Sequence, residues 1–244
     1  MSSQEVITNK TIFCDYESGL REVARLFILT NMRMGDVESL GHGFPDESLY
    51  AIFVAYDYLV DAHGKIDSES AEGYSEALET LDAAHAVLCV AYLLAAYLLL
   101  KNYDDRYADM LEHYGSIDMS AYEFDGRVKA LRECERSYQE VFDSFVPNEI
   151  TAEGASFFER CDGFIQLKSL EERSRFLEQF DVLLVASQKR YDAFCVALPA
   201  FEKAREEHDE KEERVDRIVG VFGRVLDVIT VICVLGGLAK VLFA

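Results

Sequence analysis

The chain has 244 residues, half of them hydrophobic, and a formal net charge of −21. That hydrophobic fraction excludes general disorder. The excess of acids over bases, 45 against 24, excludes a nucleic-acid partner, because phosphate binding needs clustered Lys and Arg. It equally excludes adhesion to an anionic membrane by charge alone, so any contact with lipid must come from apolar burial.

Prolines and cysteines narrow the fold class and the compartment. Only three prolines occur, which favours long helices over a many-stranded fold. The six cysteines have no short spacing, so they predict neither a zinc site nor a disulfide framework. The first residues lack the basic start and apolar run of a signal peptide. We therefore predict an all-α fold with a body in the reducing cytoplasm.

Two helices are predicted before the most apolar part of the body. The first starts at Asp15 or Ser18 and ends near Gly35, a residue type that suits a helix end. A loop follows, and a second helix opens at Pro45, where proline suits the first turn, and ends at Gly64. Spacings of three and four along this second helix predict its apolar face, formed by Leu49, Ile52, Phe53, Tyr56, Leu59 and Val60.

The third predicted helix runs to Gly115 and contains the most apolar stretch of the body. From Ala83 to Leu100 the only polar interruption is His85. At about 1.5 Å per residue this stretch is about 27 Å long, close to the about 30 Å of a hydrocarbon core. It is either the central helix of a bundle, apolar on all sides, or a transmembrane helix with Lys101 and Arg106 at its cytoplasmic end. The lack of aromatic residues at its edges favours the central helix.

Further helices follow in the second half of the chain. A capping-box spacing at Ser120 predicts a helix that ends before Pro147, and a short helix is expected over residues 151–165. A second capping-box spacing at Ser169 opens a long helix, in which Pro199 should produce a kink. In sum, the sequence predicts a bundle of six or seven helices around a hydrophobic central helix, followed by a hydrophobic C-terminal helix.

The predicted organisation has three parts: residues 1–199 form the bundle, 200–217 a charged helical connector, and 218–244 a hydrophobic helix. The last part contains about 17 residues after Asp227, near the lower limit for a membrane span. Lys and Arg are frequent before it, whereas Lys240 is the only basic residue within its final stretch. This asymmetry is typical of a tail anchor.

The segment 218–244 is amphipathic in its first half and apolar on all sides in its second half. We predict that it contacts membrane lipid or a partner helix. The alternatives are a helix that closes the bundle, a homo-oligomer interface, and a short strand, which its β-branched residues would suit. The predicted contact residues are Ile218, Val221, Phe222, Val225, Ile229, Ile232, Leu235, Leu238, Leu242 and Phe243.

No catalytic motif is present, and one weak metal candidate occurs. Asp105, Asp109 and His113 share one helical face and could bind a divalent ion, but no second acidic motif accompanies them, so a solvated surface is the expected role. His85 is expected to be a hydrogen-bonded core histidine, with a pH sensor or a ligand as the other interpretation. We expect no enzymatic activity, no cofactor and no bound metal.

The sequence thus predicts a non-enzymatic helical bundle that associates with membranes through its C-terminus and acts by protein interaction or membrane insertion. An apolar internal stretch paired with an apolar terminal one would suit a helical pore former that switches from soluble to inserted. The first alternative is a soluble assembly protein whose C-terminal helix forms a homo-oligomer interface. The second is a metal-dependent all-α enzyme that uses the acidic helix face.

Overall fold

The structure, a computed structural model, describes residues 3–41, 46–66, 70–115, 117–144 and 169–242, with side chains placed between residues 11 and 220 except for Glu47. Within these residues the protein contains five α-helices and no strand, so the predicted all-α class is confirmed. The helices are α1 (Ser3–Ser39), α2 (Asp46–Lys65), α3 (Ala71–Tyr114), α4 (Gly126–Ser144) and α5 (Leu170–Leu242). The predicted helix over 151–165 lies outside the described residues, so the total of six or seven stays a prediction.

Helix α1 is longer at both ends than predicted. It begins at Ser3 and continues through Gly35 to Ser39, so the first part of the predicted loop is helical. Val37, beyond the glycine, is buried, and its burial offsets the cost of about 1 kcal/mol that glycine imposes inside a helix. The chain turns instead at Gly41, whose φ of 79° is the left-handed conformation that glycine adopts without strain.

The two capping-box predictions have different outcomes. At Ser169 the box is confirmed, because the Glu172 amide donates to Ser169 Oγ over 3.3 Å and the Ser169 amide donates to Glu172 Oε2 over 3.1 Å. At Ser120 it is wrong, since that residue starts a short 3₁₀ turn. Helix α4 is capped instead by Asp125, whose Oδ1 accepts the Arg127 amide over 2.9 Å.

Helix α5 passes through Pro199 without interruption. Ala197 and Ala200, on either side of the proline, are buried, so packing holds the helix where one backbone hydrogen bond is missing. The chain divides by contacts into a first unit, Met1–Ala108 with Glu133–Asp192, and a second unit, Asp109–Arg132 with Ala193–Ala244. The predicted segments 1–199, 200–217 and 218–244 stay predictions.

In the first unit, helices alternate in direction. Along α3 and α5 the residue numbers of contacting pairs rise together, so the two helices run parallel; the pairs are His85–Arg173, Tyr92–Asp181 and Asp104–Arg190. Helix α4 runs antiparallel to α3, because its contacting pairs run in opposite order: Tyr107–Glu135 and Asp104–Tyr138.

Helix α3 supplies the largest share of the first unit's core. Consecutive residues Ala91 to Ala96 are all buried, so the helix is enclosed on every side, as expected of a central bundle helix. By length and composition α3 is also the one helix in the described part of the chain that could cross a membrane, and 67% of its most apolar window is buried. The buried core helix of a soluble protein can have the same length and hydrophobicity, so these two properties do not by themselves indicate a membrane span.

Helix α2 packs with a face rotated by roughly 90° from the predicted one, so that Ile52 and Leu59 at the shared edge still pack against the core. Its small residues point inward and are buried: Ser48, Ala51, Ala55 and Ala62. Leu49, Phe53, Tyr56 and Val60 of the predicted apolar face are exposed, whereas Ile52 and Leu59 are half-buried. Small side chains let a helix axis approach the core closely, and a helical period alone does not tell which of two faces is chosen.

The second unit contains a small aromatic cluster. Phe194 is buried and stacks on Phe201 with ring centroids 4.9 Å apart, and Tyr114 lies against both rings. After Ala204, which is buried, every residue from Arg205 to Gly220 is exposed. This part of α5 is therefore exposed along its whole length, although Arg205 at its start faces His113 of α3.

Candidate functional site

A group of polar side chains that we call the His85 cluster extends from the apolar core of the first unit to its surface. Its members come from α1, α3 and α5 and are Glu22, Asp82, His85, Arg173 and Ser174. Arg173 is 2% exposed and His85 is fully buried. Because a buried charge is costly unless it is paired and hydrogen-bonded, the partners of Arg173 determine whether α5 can pack here.

A directional chain of hydrogen bonds runs through the His85 cluster. Arg173 Nε donates to His85 Nδ1 over 3.2 Å, so the proton of the neutral imidazole must lie on Nε2. His85 Nε2 lies 3.3 Å from Ser174 Oγ, and Ser174 Oγ donates to Glu22 Oε1 over 2.8 Å. The chain thus leads from a guanidinium to a carboxylate with each donor matched to an acceptor, and it ties α1, α3 and α5 together.

The charges at both ends of this chain have further partners. Arg173 Nη2 donates to the Asp82 carboxylate and, over 3.3 Å, to the Asp82 backbone carbonyl. Glu22 accepts two hydrogen bonds from Arg25, over 2.7 and 3.1 Å. The cluster therefore contains two ion pairs joined through neutral His85 and Ser174.

Burial sets the protonation states in the cluster. It lowers the pKa of His85 to about 4, with the nearby Arg173 charge acting in the same direction. It raises the pKa of the Cys89 thiol, whose Sγ lies 3.5 Å from His85 Nδ1. The hydrogen bond from Arg25 lowers the pKa of Glu22 against the opposing effect of burial. At neutral pH the imidazole and the thiol are uncharged and Glu22 is ionised.

This arrangement does not suit nucleophilic catalysis. A histidine base would need an unprotonated Nε2 towards the Ser174 hydroxyl, but that nitrogen carries the imidazole proton. The Cys89 thiol is buried and its raised pKa keeps it protonated, so it is not a thiolate nucleophile. The His85 cluster therefore supports a structural role, which agrees with the core-histidine interpretation of the sequence.

Two more polar groups join α3 to its neighbours. In the first, Asp181 of α5 accepts from Arg33 of α1 and, over 2.8 Å, from Tyr92 OH of α3. In the second, Asp104 of α3 accepts from Tyr138 OH over 2.9 Å and from Arg190 Nη2 over 2.7 Å.

We call the second of these groups the Asp104 cluster, and it is reinforced by aromatic faces. The Arg190 guanidinium lies 3.6 Å from the ring centroid of Tyr138 and 4.1 Å from that of Tyr107, a cation–π arrangement. Burial raises the pKa of Tyr138 to about 12, and the Asp104 charge acts in the same direction. Since these partners lie on other helices of the unit, they favour a central bundle position for α3 over a lipid-facing one.

A groove of about 680 Å³ lies beside the His85 cluster, between α1 and α5. Glu22 and Ser174 line it, together with basic Arg21 and Arg25 and acidic Glu171. Its lining includes both acids and arginines, with the acids in excess because Asp15 and Glu178 also line it. Through the groove, solvent can reach Glu22 and Ser174, the two cluster members that line it.

The predicted metal-binding residues have other partners. The Asp105 carboxylate pairs with Lys101 over 2.7 Å, Asp109 is exposed, and the His113 ring packs edge-on against Tyr114. His113 Nε2 also faces the Arg205 guanidinium, and a cation is an unfavourable neighbour for a metal ion. Among the residues described, no group of three or more His, Cys, Asp or Glu side chains could hold a metal ion.

Of the ten predicted membrane or oligomer contacts, Ile218 is the one whose side chain is described, and it is 56% exposed. The backbone of α5 is helical to Leu242. The side chains of Val221, Phe222, Val225, Ile229, Ile232, Leu235, Leu238 and Leu242, and the whole of Phe243, lie outside the described residues. The contact role of this set stays a prediction.

Sequence reasoning missed most of the polar residues that join the helices. Arg173, Ser174, Asp82 and Arg190 resemble ordinary charged or polar positions of amphipathic helices. Asp104 directly precedes the metal candidate Asp105, but it is half-buried and accepts hydrogen bonds from Tyr138 and Arg190. Comparison with protein-family models, with curated proteins and with solved structures gives no match.

Proposed function

We propose that this protein is a non-enzymatic helical bundle with a cytoplasmic body that associates with membranes through residues 218–244. The finer architecture belongs to the same proposal: six or seven helices around a central helix at 83–100, and a hydrophobic C-terminal helix. It acts through protein interaction or membrane insertion, and its tail is the part that reaches the lipid.

The exposure of α5 from Arg205 to Gly220 is the observation that supports this proposal. An exposed helix needs local stabilisation, and ion pairs at a spacing of four provide it: Lys203–Glu207, Arg214–Glu210 and Arg217–Glu213. The solvated helix continues directly into the apolar segment. An exposed helical connector of this kind can separate the hydrophobic segment 218–244 from the bundle, so that the segment is available to contact lipid.

Apolar side chains already emerge before the described side chains end. Val215, Ile218 and Val219 are all exposed, although each would gain by burial about 1.5–3 kcal/mol in a core, a partner or a bilayer. Nearby acids make adhesion by charge unfavourable, so lipid binding would depend on apolar area.

Flotation with neutral phosphatidylcholine vesicles tests the proposal. The full chain is compared with a truncation after Gly220, which keeps every residue whose side chain is described, and circular dichroism verifies that both are helical. We expect the full chain to float with the vesicles and the truncated chain to remain at the bottom. The proposal is wrong if the full chain also stays unbound.

A size measurement without detergent separates the main alternative. If the full chain is a defined soluble oligomer that becomes a monomer on truncation after Gly220, the tail is a homo-oligomer interface, and the membrane proposal fails.

A further inference from the structure

Helix α2 carries the largest side chains of its sequence on its solvent side. Phe53 is 68% and Tyr56 59% exposed, and Leu49, Tyr50 and Val60 are exposed beside them. We call these five residues the α2 face. Single exposed hydrophobic residues are normal on protein surfaces, but a contiguous helical stripe of them indicates an interaction site.

The α2 face is not a by-product of a poorly packed helix. The inward side of α2 is complete, because Ser48, Ala51, Ala55 and Ala62 are all buried. Its C-terminal end is fixed as well, since Lys65 Nζ donates to Thr80 of α3 over 2.8 Å. Exchanging the two sides of the helix would bring aromatic rings to positions that small side chains occupy, beside Ile52 and Leu59, which pack against the core. The large residues therefore stay outside while the fold is intact.

An acidic edge accompanies the α2 face. At about 100° per residue, Asp46, Asp57 and Asp61 fall on one side of the stripe formed by Phe53 and Val60. Asp61 pairs with Lys65 over 2.9 Å, whereas no ion pair to Asp46 or Asp57 occurs among the residues that the structure describes. The edge is thus negative, in a chain whose net charge is −21.

This charge pattern distinguishes between occupants. A lipid surface would bring Asp46 and Asp57 to the headgroups together with the aromatic rings, at a desolvation cost and with repulsion from anionic lipids. A second copy in antiparallel contact would place one acidic edge beside the other. In parallel contact the acidic edge would meet the opposite edge, where His63 is the ionisable residue. None of these pairings neutralises the edge.

We propose that the α2 face is a docking surface for a basic amphipathic helix of a partner protein. The apolar stripe of such a helix covers Phe53, Tyr56 and Val60, and its Lys or Arg residues lie against Asp46 and Asp57. Apolar anchors supply affinity in this mode, and the charges supply orientation and exclude acidic partners. The surface is separate from residues 218–244, so it does not depend on the membrane proposal.

Two synthetic peptides test the proposal against the full chain by fluorescence anisotropy. Both are 18 residues long with Leu at helical spacings of three and four, and they differ in carrying either Lys or Glu beside the Leu stripe. We expect the Lys peptide to bind and the Glu peptide not to bind. Equal binding of both peptides, or of neither, overturns the proposal.

Variants show whether binding occurs at this face. The double variant Phe53→Ser/Tyr56→Ser should lower the affinity for the Lys peptide about tenfold or more. The variant Asp57→Asn should lower this affinity several-fold and reduce its dependence on salt concentration. The matched control is Ile28→Ser/Met32→Ser on α1, where the wild-type side chains are 60% and 62% exposed; it should change binding less than about twofold.

Three outcomes contradict the proposal. The first is equal weakening in the α1 control, which would mean non-specific attraction. The second is a concentration-dependent dimer that the Phe53→Ser/Tyr56→Ser variant abolishes, which would assign the face to a second copy. The third is binding of the chain truncated after Gly220 to phosphatidylcholine vesicles that the same variant abolishes, which would assign it to lipid.

Discussion

Acidification from pH 7 to pH 5 should destabilise the folded chain through His85. Burial holds the pKa of this imidazole at about 4 in the folded state, whereas an exposed histidine has a pKa of about 6.5. Between these two values the unfolded chain binds a proton that the folded chain does not bind. Stability is therefore lost as the pH falls from about 6.5 to about 4.

The magnitude follows from the pKa difference. One pKa unit corresponds to about 1.4 kcal/mol, and pH 5 lies about 1.5 units below the unfolded pKa, so His85 should cost about 2 kcal/mol at pH 5 relative to pH 7. The geometry supplies the reason, because a proton on Nδ1 would replace the hydrogen bond from Arg173 with a contact between two cations 3.2 Å apart. Most carboxylates remain ionised at pH 5, so their contribution is small in this window.

The assay is urea unfolding of the wild type and of His85→Gln at pH 7, 6 and 5, followed by circular dichroism. The variant keeps a neutral hydrogen-bonding side chain, so its free energy of unfolding should lose about 2 kcal/mol less than the wild type's between pH 7 and pH 5. His63→Gln, at an exposed position on α2, is the matched control and should behave like the wild type.

The reasoning is refuted if His85→Gln retains the full pH dependence of the wild type. Should that variant fail to fold, nitrogen-15 spectra of the wild-type imidazole give the same decision. They should show a neutral ring protonated at Nε2 at pH 5.5, and a charged ring at that pH would contradict the assignment.

The remaining predictions concern single interactions, each measured as the free energy of unfolding in urea at pH 7. Arg173→Lys should cost about 2–4 kcal/mol, because lysine keeps the buried charge but cannot reach His85 and Asp82 with one planar group; a cost below 1 kcal/mol would contradict the role given to the cluster. Tyr138→Phe should cost about 2 kcal/mol through the lost hydrogen bond to an ionised carboxylate, whereas Tyr50→Phe at an exposed position should stay within about 0.5 kcal/mol. Ser169→Ala should cost about 1 kcal/mol through the lost cap, and an unchanged midpoint would mean that the start of α5 is held by packing instead.

Local chemistry accounts for what was predictable along the chain. The bounds of α2 and the end of α3 were foreseen within a few residues, since proline, glycine and the apolar period act within one or two turns. The cap at Ser169 was foreseen for the same reason, because its partner Glu172 is three residues away. Gly35 was misread as a helix end, since a packing contact beyond it outweighs its low propensity.

The orientation of α2 could not be predicted from its own sequence. Its large residues and its small residues both recur at helical spacing, so each set forms a face of the helix. Hydrophobicity alone favours burial of the face with the large residues. The structure buries Ala51 and Ala55 because close approach to the core outweighs the area that Phe53 would bury. That choice depends on the shape of the neighbouring helices.

The sequence by itself determined the helical class, the strongly apolar character of 83–100 and the net negative charge, because these depend on composition and on interactions within a few turns. Only the tertiary structure decided that Arg173 reaches His85 across 88 positions, that half-buried Asp104 accepts hydrogen bonds from Tyr138 and Arg190, and that α2 turns its aromatic side to solvent. Contacts between residues so far apart in sequence depend on how whole helices pack against each other, and no local sequence pattern predicts them.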